Sequence, residues 1–184
     1  NDKDGLIRTH QSMREQTCKD FEWIIVDGDS SDGSKGFLEE LSLKDSTWTS
    51  EPDEGLYDAM NKGMAQAKGD YIIFMNSGDV LADPDVLNVI KNEASEKGLP
   101  DFIYGDAFDR FSNGANLLKK AKAHQWLWYG MFTHHQAMFY KRSAIGNLKY
   151  RMEYKLAADY GFTSEFLRQV NHIEYVGIPI CTFE

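Results

Sequence analysis

The stretch Tyr71–Asp79, YIIFMNSGD, joins an apolar run to a lone carboxylate. An uninterrupted apolar run of this length fits a strand covered on both faces. In open α/β sheets, ligands gather at the carboxyl ends of such strands. Asp79, behind Asn76-Ser77-Gly78, is therefore placed to hold a divalent cation against a phosphate. A second apolar run, Phe21–Val26, ends in Asp27-Gly28-Asp29-Ser30-Ser31-Asp32-Gly33. Two acid-tipped strands at one sheet edge point to an enzyme that handles a metal and a nucleotide. Asp32 also suits a helix cap. Asp27 is harder to explain that way, because a carboxylate directly after Ile-Ile-Val needs a partner.

The elements that must carry these residues follow from periodicity. Leu6, Ile7, His10 and Met13 share one helical face over residues 4–16. Phe21–Val26 is a strand, followed by a helix with Phe37, Leu38 and Leu41 inward and a short strand at Thr47–Ser50. Leu56, Met60, Met64 and Ala67 define the next helix, and Tyr71–Met75 the next strand. A helix from Pro84 to Lys97 begins with proline in its first turn. This α-β-α-β-α-β-α order with short links predicts a mostly parallel sheet with crossover helices.

From residue 100 the pattern changes. Strands are expected at Asp101–Phe111 and Leu117–Ala121, joined by a turn at Ser112-Asn113-Gly114. A short aromatic helix at His124–Met131, a strand at Gln136–Tyr140 and a helix at Lys155–Val170 follow. Ile173–Thr182 reads as an edge strand, because Pro179 cannot donate to a ladder. The expectation is one domain over residues 1–184, with a nucleotide-binding half (1–99) and an acceptor-binding half (100–184). A parallel fold normally opens on a strand, so one is expected upstream of Asn1. Ending on Cys181-Thr182-Phe183-Glu184, straight out of an apolar run, likewise reads as a truncation.

With 184 residues, 42% of them hydrophobic and 13% aromatic, the chain can bury a sizeable core. A net charge of −9 disfavours nucleic acid as a partner, since phosphate contacts need clustered Lys and Arg. Cys18 and Cys181 define no disulfide framework, and a reducing compartment is the default. No apolar run approaches the ~20 residues that span a bilayer.

One combination goes beyond spacing. Glu51-Pro52-Asp53-x-Gly55-x-Tyr57-Asp58-Ala59-Met60-Asn61-Lys62-Gly63, then Ala67-x-Gly69-Asp70-Tyr71-Ile72-x-Phe74-x-Asn76-Ser77-Gly78-Asp79, closely resembles the nucleotide-sugar domain of family 2 glycosyltransferases. More narrowly, it resembles the bacterial enzymes that build surface polysaccharides. The earlier V-D-G-x-S-x-D-G-S and the later T-H-H-Q-A-M-F-Y and L-A-A-D-Y-G-F are similar to the same family's segments, in order.

The resemblance implies the GT-A fold and transfer of a sugar from a nucleotide-diphosphate donor, with UDP expected, to a saccharide or lipid-linked acceptor. It implies inversion in one displacement and a Mn²⁺ or Mg²⁺ cofactor. It places Asp27, Asp29, Asp53, Asn61 and Asn76 on the nucleotide side, and Asp79 on the metal, with His135 as a further ligand. Asp159 stands at the position of the catalytic base. Asp106, Gln136 and Trp128 are the candidate acceptor contacts. Two departures are visible: Asn76-Ser77-Gly78-Asp79 keeps only the last carboxylate of a D-x-D-like motif, and Met60 stands where many relatives carry Arg. A cytoplasmic enzyme is implied, with peripheral association at the inner membrane face and oligomeric state left open.

Two alternatives compete. Asp27-Gly28-Asp29-Ser30, with Gly78-Asp79 and Asp83, resembles the acidic motifs of haloacid dehalogenase-like phosphatases, where Asp27 would be the nucleophile. Ser30 replaces the usual Thr or Val, the two motifs lie close together, and the other matching segments would go unexplained. The other alternative is a non-catalytic sugar-nucleotide-binding domain, distinguished by binding without turnover.

Overall fold

The computed structural model describes residues 1–41 and 46–183; Glu184, at the chain end read above as a truncation, lies outside the described residues. Helix α1, Lys3–Glu15, is capped by Asp2, whose side chain accepts from the Gly5 N–H. Strand β1, Trp23–Asp27, leads through the acidic loop to α2, Ser34–Glu40, and β2, Ser46–Ser50. Helix α3 spans Leu56–Gln66 and β3 is Tyr71–Ile72. A short strand β4, Val80–Leu81, precedes α4, Val86–Glu96.

The second half contains β5, Phe102–Arg110, β6, Asn116–Lys119, and 3₁₀ turns at His124–Tyr129 and His135–Ala137. Strand β7, Met138–Lys141, a one-turn helix α5, Arg142–Ile145, helix α6, Ala158–Leu167, and β8, Ile173–Phe183, complete it.

Strands β1 and β2 run parallel, with Asp27 opposite Ser50. The other described strands form a mixed sheet in the order β3-β7-β5-β8-β4, with β6 against the far end of β5. Strand β8 is parallel to β5, while β3–β7, β5–β7 and β4–β8 are antiparallel.

Three expectations shift. The run expected as strand over Tyr71–Met75 pairs only through Tyr71 and Ile72, and the chain then departs toward the Asn76–Asp79 turn. The helix expected from Lys155 begins at Ala158. The strand assigned to an edge is internal, between β5 and β4. Pro179 is accommodated because the β5–β8 register shifts on both sides of Asp106, the residue opposite it. A bulge excuses proline from the ladder without moving the strand outward.

Aromatic residues fill the core behind the sheet. Phe74, Tyr140, Tyr150 and Phe162 meet edge-on or stacked, with Tyr150 and Phe162 4.4 Å apart at 13°. The buried Tyr140 hydroxyl is satisfied by Thr163 at 2.8 Å. Tyr57 of α3 stacks on Tyr150, coupling α3 to this cluster.

Asn61 strengthens that coupling. Its Nδ2 donates to the Tyr150 carbonyl at 2.9 Å, and its Oδ1 accepts from the Tyr150 N–H at 2.9 Å. Asn61→Ala is therefore expected to cost about 1–3 kcal/mol by stranding two backbone groups. Urea unfolding monitored by circular dichroism measures it; an unchanged midpoint would exclude this role.

Candidate active site

The first turn of α1 is where the two acidic loops meet. On one side, Asn1 Oδ1 accepts from the Ser31 N–H at 2.7 Å, and Asp32 Oδ2 accepts from the Lys3 N–H at 2.8 Å. On the other, Ser77 Oγ donates to the Asp2 carbonyl at 2.8 Å. Thr9 Oγ1 donates to the Asp79 carbonyl at 2.8 Å and accepts from the Gly78 N–H at 3.1 Å. Gly5 permits this approach, because a Cβ there would lie 2.8 Å from the Gly78 nitrogen.

Asp27 sits at the end of β1 and is buried. The parallel register brings Ser50 Oγ to its Oδ2 at 2.8 Å, and the Ser30 N–H reaches the same atom at 3.1 Å. Burial is the largest influence and favours the neutral acid, yet the Ser30 and Ser50 hydrogen bonds prevail and hold the pKa below the usual carboxylate value. Asp53 lies against the same loop: a Cβ on Gly28 would be 2.4 Å from Asp53 Oδ2. The Gly55 N–H fixes the other Asp53 oxygen at 2.9 Å. Asp29 is exposed, with φ +60°. Asp27 and Asp53 thus form one acidic corner with Asp29 on its rim.

Asp79 is 3% exposed. Its Oδ2 accepts from Gln136 Nε2 at 2.6 Å and from the Asn76 N–H at 3.2 Å. Asn76 Nδ2 approaches His135 Nε2 at 3.4 Å, and His135 Nδ1 lies 3.8 Å from Asp159 Oδ2. Asp159, in the first turn of α6, accepts through Oδ1 from Tyr57 Oη at 3.3 Å. A line of polar neighbours therefore runs Gln136–Asp79–Asn76–His135–Asp159–Tyr57, its widest step the 3.8 Å between His135 and Asp159.

Burial, the dominant influence, lowers the His135 pKa below its usual value although the Asp159 charge opposes it. The ring is neutral at neutral pH. Burial and then the Asp159 charge raise the Tyr57 pKa, so its hydroxyl remains a donor.

The fit to a divalent cation turns on this chemistry. No group of three or more His, Cys, Asp and Glu able to hold a metal occurs among the described residues. Asp79 is a hard oxygen donor, however, and the amide that grips it carries a buried Oε1 without a hydrogen-bond partner among the described residues. An orphaned carbonyl beside a carboxylate is an environment that a hard cation or water satisfies. These residues fit Mg²⁺ or Mn²⁺ when diphosphate and water oxygens complete the shell.

Other expected site residues are engaged in local contacts. Asn61 is engaged with the Tyr150 backbone, and Tyr150 in turn stacks on Tyr57. Asp106 Oδ1 accepts from the Ala121 N–H at 2.8 Å and Tyr175 Oη at 2.7 Å, so it pins the β5 bulge to two neighbouring segments. Gln136 is fully buried and its Nε2 donates to Asp79. Trp128 is 73% exposed. Lys62 is paired with Glu51 at 3.0 Å and Asp58 at 3.2 Å, bracing α3 to the Pro52 loop. Met60 is in the core.

Ser50, Thr9 and Tyr57 were missed by sequence reasoning. Ser50 becomes relevant only once the β1–β2 register is known. Thr9 hides on an ordinary helix face. Tyr57 lay within the matching segment and could have been singled out.

Comparison with known proteins gives the same frame. Residues 1–149 match Glycosyl transferase family 2. An uncharacterised glycosyltransferase of Mycobacterium tuberculosis is 34% identical over 167 residues, covering 88% of this chain and 63% of the relative. A PGL/p-HBAD biosynthesis glycosyltransferase of Mycobacterium bovis is 32% identical over 164 residues, covering 82% and 60%. Among solved structures, Staphylococcus aureus TarS 1–349 in complex with UDP superposes with TM-score 0.82 at 16% identity, covering 97% of this chain and 56% of that one. The mannosyltransferase PcManGT of Pyrobaculum calidifontis, with GDP-Man and Mn²⁺, gives TM-score 0.73 at 14% identity, covering 100% and 54%.

The chain belongs to glycosyltransferase family 2 and has the GT-A fold. It spans about three-fifths of the length of the curated relatives it matches. That membership leaves the phosphatase alternative without support. Among the described residues, no helix is long and apolar enough to cross a membrane.

Proposed function

We propose that the protein transfers a sugar from a UDP-linked donor to a hydroxyl of a saccharide or lipid-linked acceptor in bacterial surface-glycan assembly, with inversion. The observation that carries this reading is the polar chain joining Asp79 to Asp159 through Asn76 and His135. These contacts support a reading in which Asp79 serves the diphosphate side and Asp159 the acceptor side of one site.

In this reading Asp27 and Asp53 receive the base and ribose, with Asp29 on their solvent side. Asn76 orients His135 and shapes the diphosphate side. Asp159 Oδ2 takes the acceptor proton as the acceptor oxygen bonds to the anomeric carbon. The bond to the departing UDP breaks on the opposite face, and its electron pair leaves with the diphosphate oxygen. One displacement inverts the centre. A Mn²⁺ or Mg²⁺ ion held by Asp79, when bound, would offset charge on the leaving group.

Support for the donor class comes from the structural neighbours: TarS has been solved with UDP and UDP-GlcNAc, and PcManGT with GDP-Man and Mn²⁺. A glycan-assembly role is supported by the relative named for PGL/p-HBAD biosynthesis.

Calorimetric titration with UDP, GDP and dTDP, each with and without Mn²⁺, tests the reading. UDP is expected to bind tightest and Mn²⁺ to strengthen it. Asp27→Asn should weaken UDP by about 10-fold or more, the scale of one charged hydrogen bond. Equal, weak binding of all three nucleotides, unaffected by Asp27→Asn, would overturn the assignment.

A further inference from the structure

Charge is distributed very unevenly along this acidic chain. From Phe111 to Met152 the sequence contains seven Lys and Arg and no Asp or Glu, although the whole chain carries 29 acidic residues and a net charge of −9. The first part of this stretch is also where large apolar side chains face solvent. Phe111, Leu117, Leu118, Trp126, Trp128 and Tyr129 are all exposed, Tyr129 as fully as Trp128 at 73%.

The exposure is built into the local fold. Among the described residues, strand β6 pairs only with the end of β5 and lies off the main strand order, so both Leu117 and Leu118 emerge although they alternate in direction. In the following 3₁₀ turn Leu127 points inward and is buried, while the rings on either side point out. Trp126 and Trp128 stack with centroids 6.3 Å apart at 12°, and Tyr129 lies 4.3 Å from Trp128. The turn is tied down by the His124 N–H to Tyr104 Oη at 3.2 Å and the Lys122 N–H to the Phe132 carbonyl at 2.9 Å. Exposed Lys119, Lys120 and Lys122 lie between the leucines and the tryptophans. Lys119 Nζ is 3.9 Å from Asp109 and remains half-exposed.

We propose that residues 111–129 form a peripheral docking surface for an anionic lipid bilayer. Trp and Tyr favour the membrane–water interface, where an apolar ring and a polar edge are both satisfied. Long lysine side chains snorkel, so their stems rest on apolar surface while the ammonium groups meet lipid phosphates. Attraction between a basic segment and an anionic leaflet supplies the second anchoring element, as stable peripheral binding requires more than one. Local charge, rather than the acidic total, sets this contact, because screening confines it to about a Debye length of ~8–10 Å. The proposal goes beyond sugar transfer and does not depend on it.

Sedimentation with vesicles tests it on the intact protein. Vesicles of phosphatidylcholine and phosphatidylglycerol in equal parts should capture it, pure phosphatidylcholine vesicles should not, and added NaCl should release it. Replacing Lys119, Lys120 and Lys122 together by Gln should weaken partitioning on the order of 100-fold. Trp126→Ala with Trp128→Ala should also release the protein and abolish any vesicle-induced blue shift of tryptophan emission. These side chains are exposed, and circular dichroism checks that the variants remain folded. No capture by anionic vesicles at low salt would overturn the proposal, as would undiminished capture of the lysine variant. Lipid-free self-association lost on Trp128→Ala would instead assign the rings to a second copy and equally overturn it.

Discussion

Asp159→Asn is expected to lower the transfer rate by about 10²–10⁴-fold, the range for losing a positioned general base. UDP affinity and thermal stability should change little. The substitution is nearly isosteric, and an Asn oxygen can still accept from Tyr57 Oη and the Tyr160 N–H, the partners of Asp159 Oδ1. What disappears is the second carboxylate oxygen as a proton acceptor. His135 does not replace it: at 3.8 Å from Oδ2 it faces the carboxylate, and burial has already made its ring a poor base. A Tyr57→Phe control separates positioning from chemistry. It removes one hydrogen bond while leaving the base, so a loss of only a few-fold is expected from the net value of about 0.5–1.5 kcal/mol. Single-turnover transfer from UDP-sugar to a trapped acceptor, with nucleotide affinity measured in parallel, reads both variants. Near-normal transfer by folded Asp159→Asn would mean that another group deprotonates the acceptor.

Much of the architecture was legible in the sequence because the relevant signals are local. Apolar periodicity located α1, α3 and α4 within a residue or two, and the Ser112-Asn113-Gly114 turn correctly divided β5 from β6. Long-range pairing was less legible. Pro179 argued for an edge strand on local grounds, but a register shift opposite Asp106 absorbed the missing donor and β8 was buried inside the sheet. At the candidate site, Asp27 and Asp79 stand out in the sequence because carboxylates that end apolar runs are costly without a partner, while Asp159 is marked by the family resemblance. Their partners do not stand out. Ser50 reaches Asp27 through a strand register, and Asn61 is drawn to a backbone 89 residues away. The exposure of the tryptophans near residue 126 is set by local geometry that their sequence does not display, since aromatic density by itself suits a core equally well. A 3₁₀ turn that buries Leu127 leaves its neighbours outside.

Asp79 carries the second large effect, and here the choice of substitution matters. Its carboxylate is the acceptor for Gln136 Nε2, on an amide whose Oε1 has no hydrogen-bond partner among the described residues. Alanine would strand that buried donor and cost about 1–3 kcal/mol of stability, which would confuse a loss of folding with a loss of cation binding. Asparagine keeps an oxygen for Gln136 while removing the charge that a hard cation requires. Asp79→Asn is therefore expected to fold, to bind UDP as the unmodified protein does in EDTA, and to lose the additional affinity conferred by Mn²⁺. Transfer should fall on the order of 10²-fold or more if, as proposed, a cation held by that charge supplies several kcal/mol of leaving-group stabilisation. The thin donor set makes a further distinction possible. With one carboxylate and a neutral imidazole nearby, cation affinity should be weak until a diphosphate supplies oxygens, so Mn²⁺ alone should produce little heat and Mn²⁺ with UDP a clear signal. If the Mn²⁺ increment survives in Asp79→Asn, the cation is bound elsewhere. If it is absent from the unmodified protein as well, Asp79 serves to hold Gln136 and the Asn76 turn, and the diphosphate is stabilised by hydrogen bonds alone.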